Sequence, residues 1–381
     1  MYLFYFTLFG VFVPYVARFL TANGLTEKET SVIVAIVNGV NMFAPFLFSY
    51  LADKSGRRMV FIRVGFFAIG VFYFLAMFAE GFWQYLVVFG LFGVFLSAVL
   101  PQMESITLSV LGDQRNRYGQ VRLWGSLGFV VIVWVMGILL DSFSVMILPI
   151  AGVILSLLMF FSTFWVPERP KHQPMSSEEM RKHESRSGNH LIKTQWGQVV
   201  VLLLVVLCWQ FGMAPYNTFF DLYLGGNGFS ATTIGFLISF GALCEIGIFF
   251  YVARMLDKYS ERALMSIALL FTVLRWLLLY KFPETFVIVL FTQSLHAMTF
   301  GVVHSVAVYR ISHLFPESQA SFGQGMYVAL GSGLGLFAGN LLAGYLWNGT
   351  GIVYLQAAVW TLLALIITWF GFKETQRPSS H

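Results

Sequence analysis

Long apolar blocks, each interrupted by a short polar stretch, follow one another along the whole chain. A bilayer has a hydrocarbon core about 30 Å thick, which takes about 20 apolar residues of helix to cross. Measured against that length, the blocks predict twelve spans: 1–21, 30–51, 59–79, 83–111, 121–140, 143–166, 197–222, 231–253, 263–280, 285–309, 320–346 and 351–371. The fourth is long enough that its end reads as part of a loop. No block shows the period-2 alternation of a transmembrane barrel strand. The expected fold is therefore an all-α polytopic membrane protein. The first block has no charged leader and no A-x-A cleavage site, so it reads as a retained helix rather than a signal peptide.

Composition agrees with the pattern. Of the 381 residues, 58% are hydrophobic and only 11% charged, against about 25% charged in a soluble domain. Too little charge is present to clothe a water-facing surface, and too much apolar residue for a disordered chain. Cys208 and Cys244 both fall in predicted spans and form neither a disulfide framework nor a metal pattern.

The position of the charges sets an orientation. With both termini in the cytoplasm, eighteen of the 23 basic residues fall on the cytoplasmic side. Only Lys28 and Lys281 fall in outer loops, and Arg18, Arg122 and Arg275 stand within or at the edge of spans. That is the positive-inside bias. The net charge of +5 is this bias and not a nucleic-acid patch. Residues 167–195 hold three of the eleven prolines and almost no apolar side chain, which reads as a cytoplasmic linker. It separates an N-terminal six-helix bundle (1–166) from a C-terminal one (196–381).

The halves repeat one another. Asp53-Lys54-Ser55-Gly56-Arg57-Arg58 follows span 2, and Asp257-Lys258-Tyr259-Ser260-Glu261-Arg262 follows span 8, at an offset of 204. Gly119, Gly125 and Ser126 are echoed by Gly325, Gly331 and Ser332 at an offset of 206. Two features at nearly one offset indicate a duplicated six-helix unit. Parallel halves with a substrate site between them near the bilayer midplane are the plan of the major facilitator transporters. The loop around Asp53 resembles the signature loop of that superfamily, with Ser49 where a leading glycine is usual. The resemblance implies a conformational latch made by Asp53, Gly56, Arg57 and Arg58. Chemically, Asp53 can pair or cap at a helix end, and the arginines suit helix C-termini and lipid headgroups.

Ionisable groups inside a membrane are costly unless paired or facing water, and so they mark function. At about 1.5 Å per residue, Glu104 in span 4 and Arg122 in span 5 sit roughly 12 and 8 Å below the cytoplasmic boundary. They are placed to pair across a cavity and to hold the hydroxyl or carboxylate groups of a substrate. A structural salt bridge is the plainer alternative. Arg122 has Val328 as its repeat equivalent, so shared architecture does not explain it. Glu245, Arg275 and His296 lie near the midplane of spans 8, 9 and 10, with Asn41, Val71 and Phe92 as equivalents. An acid beside an arginine and a histidine suits a site that gains and loses a proton. No role follows for His304 from its position alone. Asp221, Arg18 and Glu284 lie near the outer surface and are expected to snorkel. Tyr5, Tyr15, Tyr216 and Tyr223 are candidates to line an aromatic pocket, against the default of interfacial and lipid-facing rings.

The runs Tyr118-Gly119-Gln120-Val121-Arg122-Leu123-Trp124-Gly125-Ser126, Leu274-Arg275-Trp276 and Leu295-His296-Ala297-Met298-Thr299-Phe300 with His304 resemble the phenylpropionate permease family. That family is similar to lactose permease, an oligosaccharide and proton symporter. The resemblance implies a substrate-holding role for Glu104 and Arg122, and proton coupling by Glu245, Arg275 and His296. Gln293 stands where the symporter has a lysine, and Thr299 where it has a carboxylate; if coupling is kept, Glu245 is the expected proton carrier.

No G-x-x-x-x-G-K-[ST] loop and no metal-ligand spacing occurs, so a proton gradient is the expected energy source, with no cofactor or metal. The expected function is not enzymatic. It is proton-coupled symport of a small organic solute by alternating access, the solute being an aromatic or other organic acid such as phenylpropionate, a sugar or a nucleoside. A proton-driven efflux antiporter and a transporter-fold sensor are the alternatives. The expected partners are the solute, protons and membrane lipids, with no nucleic acid, in a monomer. The expected location is a bacterial inner membrane.

Overall fold

The computed structural model describes residues 1–166, 195–316 and 319–373, and these contain helices but no strand. The expected linker lies outside the described residues except for Gln195. Among them, ten helices are long and apolar enough to cross a membrane, and two bent pairs bring the number of spans to twelve. In order these are Tyr2–Phe12 with Val16–Ala22, Glu27–Met42 with Ala44–Ser55, Arg58–Ala76, Gly81–Leu111, Tyr118–Ser142, Ile147–Trp165, Trp196–Gly226, Ala231–Phe249, Glu261–Lys281, Phe286–Leu314, Phe322–Leu346 and Ile352–Gly371.

Both bends, of 42° each, have a proline as their cause. Pro14 follows Phe12, and Pro45 opens the second piece of span 2. A proline lacks an N–H and its ring clashes with the preceding turn. Span 4 corrects the expected loop. It stays helical for 31 residues, through Pro101, as far as Leu111. Prolines are tolerated where neighbouring helices satisfy the freed backbone groups. Spans 10 and 11 each widen into a π-helical stretch, over Ala297–Val302 and Val328–Gly335. Such bulges cluster at functional sites.

The apolar core falls into two clusters. One gathers side chains from Tyr2 to Met159, the other from Val199 to Phe372. A further repeat shows in the backbone. Asn23-Gly24-Leu25-Thr26 and Asn227-Gly228-Phe229-Ser230 sit at an offset of 204. Each asparagine donates to a carbonyl four residues back at 2.7 Å. Each glycine turns left-handed, at φ 90° and 89°. Each hydroxyl then caps the next helix by accepting from the N–H three residues on, at 3.3 and 3.2 Å.

Met1, Phe372 and the described residues of the loops after spans 2, 4, 8 and 10 lie on one face, here the terminal face; the remaining described loops form the distal face. The halves meet along spans 1 and 7, 2 and 11, and 5 and 8. Close approach depends on glycine. A Cβ at Gly137 would lie 2.4 Å from the Ala231 carbonyl oxygen, and one at Gly344 would lie 2.3 Å from Ser31. Spans 5 and 8 touch from Asp141, which accepts from the N–H groups of Ala231 and Thr232 at 2.9 Å each, to Ser239, which donates to the Val130 carbonyl at 2.7 Å. Further along span 8, nothing lies within 4 Å of a Cβ built at Gly247. At the distal face the halves are joined by Arg18 with Asp221, Ser31 with the Asn340 carbonyl, and Asp141 with Ala231; toward the terminal face spans 2 and 11 still meet, Gly333 at Met42 and Gly325 at Phe46.

Candidate functional site

Toward the terminal face, Arg122 Nη1 donates to Glu104 Oε1 at 3.1 Å. The Tyr118 hydroxyl donates to the same oxygen at 3.1 Å. Tyr118 and Arg122 are four residues apart on span 5, hence on one face of the helix. The Arg122 guanidinium also lies over the Phe6 ring, 5.1 Å from its centre. The side chains of Arg122 and Glu104 remain 39% and 37% exposed, so neither is sealed in the packing.

The second group is deeper. Arg275 is fully buried, with Tyr216 and Trp276 rings 4.2 and 4.7 Å from its guanidinium carbon. Aromatic faces hold a desolvated cation that would otherwise be very costly. Its Nη1 lies 3.0 Å from His296 Nδ1, and its Nη2 donates to Gln293 Oε1 at 3.2 Å. The Tyr216 hydroxyl donates to the same Gln293 oxygen at 2.9 Å. His296 Nε2 faces Glu245 Oε2 at 3.3 Å. Arginine has donors only, so His296 Nδ1 must accept and its proton must sit on Nε2, directed at Glu245. Tyr216, Gln293, Arg275, His296 and Glu245 thus form one unbroken polar chain.

One face of span 10 continues the site as a stack. His296 and Phe300 lie 6.1 Å apart at 14°, and Phe300 and His304 lie 5.4 Å apart at 9°. His304 Nδ1 meets the Tyr327 hydroxyl at 2.6 Å.

Family membership can now be settled. The model of the MFS_1 like family matches residues 1–357. The chain belongs to that family. A probable 3-phenylpropionic acid transporter of Escherichia coli (strain K12) is 28% identical over 376 residues, covering 94% of this chain and 93% of that protein. A maltose permease of Geobacillus stearothermophilus is 26% identical over 373 residues, covering 96% of this chain and 92% of that one. The structure of the nucleoside transporter NupG superposes with a TM-score of 0.83 at 17% identity, over 98% of each chain. This MFS_1 like protein is accordingly an integral membrane transporter of the major facilitator type.

Two pairings that follow from depth along the helices are present in the transporter: Glu104 with Arg122, and Glu245 with His296 and Arg275. The loop residues stand apart from them. Gly56 closes the second piece of span 2 in a left-handed turn at φ 68°, which favours glycine. Asp53 accepts from Arg58, and the Arg57 backbone N–H donates to the Ser55 hydroxyl at 3.3 Å. Ser49, in the family's glycine position, accepts from Gln102 at 2.9 Å.

Two expectations need correction. Tyr223 borders a pocket among the distal loops with Tyr280, Lys281 and Glu284, whereas Tyr5 and Tyr15 are packed within the N-terminal core. All three are buried, and the hydroxyls of Tyr5, Tyr15 and Tyr223 donate to the carbonyls of Leu96, Val133 and Leu279. Of the four tyrosines, Tyr216 alone joins the polar chain. Nor does Asp221 snorkel. It is 1% exposed and takes two bonds from Arg18, while Glu284 remains on the surface. Tyr118, Gln293 and Tyr327 were missed as site residues. For the first two, spacing of four and three residues from Arg122 and His296 is the signal available in sequence.

Proposed function

We propose that this transporter carries a small organic solute inward together with protons, by rocking of two six-helix bundles, 1–166 and 196–381, about a site at their interface. The terminal face is the cytoplasmic one, on the strength of its basic residues. The observation that carries the reading is the buried polar chain from Tyr216 to Glu245 in the C-terminal half, with the partly exposed Arg122–Glu104 pair in the N-terminal half. In it, both His296 nitrogens are engaged and Glu245 is the acidic end. A proton arriving at Glu245 turns a charge-assisted bond to His296 into a neutral one, about half as strong. That frees His296 and Arg275 to rearrange when the halves move.

Arg122, with Glu104 and Tyr118 beside it, takes the polar end of the solute. A carboxylate competes with Glu104 for the guanidinium, and a polyol bridges the two. The flat stack of His296, Phe300 and His304 suits a planar ring, which favours an aromatic acid or a nucleoside, and the sugar transported by the maltose permease relative keeps that class in view. A bacterial inner membrane and a monomer complete the proposal. Reconstituted protein, screened for uptake of phenylpropionates, other organic acids, sugars and nucleosides under an inward proton gradient, tests it. Accumulation of one of them supports symport, and extrusion against the gradient would replace symport by efflux.

A further inference from the structure

His304 repeats the arrangement of His296 at the other end of one ring stack. Both share a face of span 10 with Phe300, which stands between them in the sequence and stacks on each imidazole. In each histidine Nδ1 is taken. His296 Nδ1 accepts from Arg275, and His304 Nδ1 lies 2.6 Å from the Tyr327 hydroxyl. Tyr327 is 4% exposed, and among the described residues that nitrogen is the acceptor its hydroxyl proton has. A buried hydroxyl without an acceptor is costly, so Tyr327 donates and the His304 proton sits on Nε2. The two histidines then differ in one respect. His296 Nε2 ends on the Glu245 carboxylate. His304 Nε2 has no bond to any described residue, and in this partly buried side chain it is not sealed in the packing.

Position gives the free donor a use. Tyr327 directly precedes Val328, the repeat equivalent of Arg122, so it stands in the C-terminal half at about the level of the Arg122 cluster in the N-terminal half. Spans 10 and 11 are the repeat counterparts of spans 4 and 5, so the same two helices of each half carry a hydrogen-bonded couple. Leu100 and Val121 occupy the positions equivalent to His304 and Tyr327. Shared architecture therefore does not explain this couple, as it does not explain Arg122. We infer that His304, positioned by Tyr327, contacts the solute and selects for an oxygen or nitrogen acceptor on a planar ring. One end of such a solute meets Arg122, while its ring lies along Phe300 and accepts from His304 Nε2. Ring-hydroxylated aromatic acids and nucleosides share this chemistry. A bare phenyl ring lacks it and leaves the donor unpaired, which a site built to hydrogen-bond its substrate penalises. The inference rests on the proposed solute site and is independent of proton coupling.

Titration calorimetry on the purified transporter tests it with two pairs of probes that differ in the ring acceptor. One pair is para-hydroxyphenylpropionate against phenylpropionate; the other is uridine against the riboside with a phenyl ring in place of the base. The parent should bind the acceptor-bearing member of at least one pair about three- to tenfold more tightly, the worth of one neutral hydrogen bond. Which pair does so distinguishes an aromatic acid from a nucleoside. The ratio within a pair is the readout, because a structural defect weakens both members alike. His304→Phe keeps a ring on Phe300 but removes the donor, and should bring the ratio below about twofold. His304→Gln, whose amide still donates, should retain part of the preference. Tyr327→Phe releases the His304 proton to either nitrogen and should lower the ratio with His304 in place. A parent that binds both members of each pair equally overturns the inference alone. So does a His304→Phe ratio equal to the parent's, or an equal loss of both members with the preference kept. A parent that binds no probe of either pair refutes the aromatic-solute reading of the site, and the inference falls with it.

Discussion

Replacing Arg122 with lysine separates a structural salt bridge from a solute-binding group. The Arg122–Glu104 pair is a single 3.1 Å bond between side chains more than a third exposed. Pairs so open to solvent contribute about 0.2–1 kcal/mol to stability. Contact with the Phe6 ring adds about 0.5–1 kcal/mol, part of which a lysine keeps. Arg122→Lys should therefore cost the fold about 1 kcal/mol at most. Its effect on a bound solute is larger. A lysine keeps the charge but not the fork, and losing one charge-assisted hydrogen bond costs about 1.5–3 kcal/mol. At 1.4 kcal/mol per factor of ten, affinity should fall roughly ten- to a hundredfold. The assay is titration calorimetry, or the KM of counterflow exchange, beside a melting curve in detergent. A large loss of melting temperature with affinity changed less than about twofold would show that Arg122 serves the fold, and would refute its place in the solute site.

Two more perturbations address the frame. Gly344→Val places atoms where Ser31 already stands, since even a Cβ would come within 2.3 Å. Overpacking of this kind costs about 1–3 kcal/mol. Spans 2 and 11 should be forced apart at the distal end, slowing counterflow exchange in protein that still purifies as a single species. Unimpaired exchange would mean that this contact is not needed for closure. Arg310 is buried and ties Glu261, Gln198 and the Lys373 carbonyl together, with its guanidinium 4.0 Å from the Phe372 ring. Arg310→Ala should cost about 3–5 kcal/mol, the usual penalty for breaking a buried pair from one side. It should appear as a markedly lower melting temperature, and an unchanged one would show that the cluster holds nothing.

The sequence carried the spans because a bilayer imposes a length on every helix that crosses it. It carried the pairing of Glu104 with Arg122, and of Glu245 with Arg275 and His296, because a constant rise per residue converts position into depth. What depth does not carry is azimuth. Arg18 and Asp221 lie at the same level in two helices whose facing sides are set by packing of the whole molecule, so snorkelling was the natural expectation for each alone. The same limit explains Tyr5, Tyr15 and Tyr223, whose partners are backbone carbonyls of other spans and leave no mark in composition. The π-helical stretches beside His296 and at Val328 likewise follow from local packing rather than from a residue pattern. The repeated Asn-Gly turn at residues 23 and 227 was legible but short. Its meaning comes from the matched left-handed glycines and hydroxyl caps.

The central claim is that Glu245 couples solute movement to protons. One proton crossing 100 mV supplies about 2.3 kcal/mol, enough to concentrate a neutral solute roughly fiftyfold when each factor of ten takes 1.4 kcal/mol. In proteoliposomes with an imposed potential and pH gradient, the parent protein should reach accumulation of that order. Glu245→Gln keeps the shape of the side chain and can still accept from His296, but it cannot take up a proton. The variant should lose uphill accumulation and retain exchange of labelled for unlabelled solute at equilibrium. Uphill accumulation by Glu245→Gln at the parent level would contradict the account.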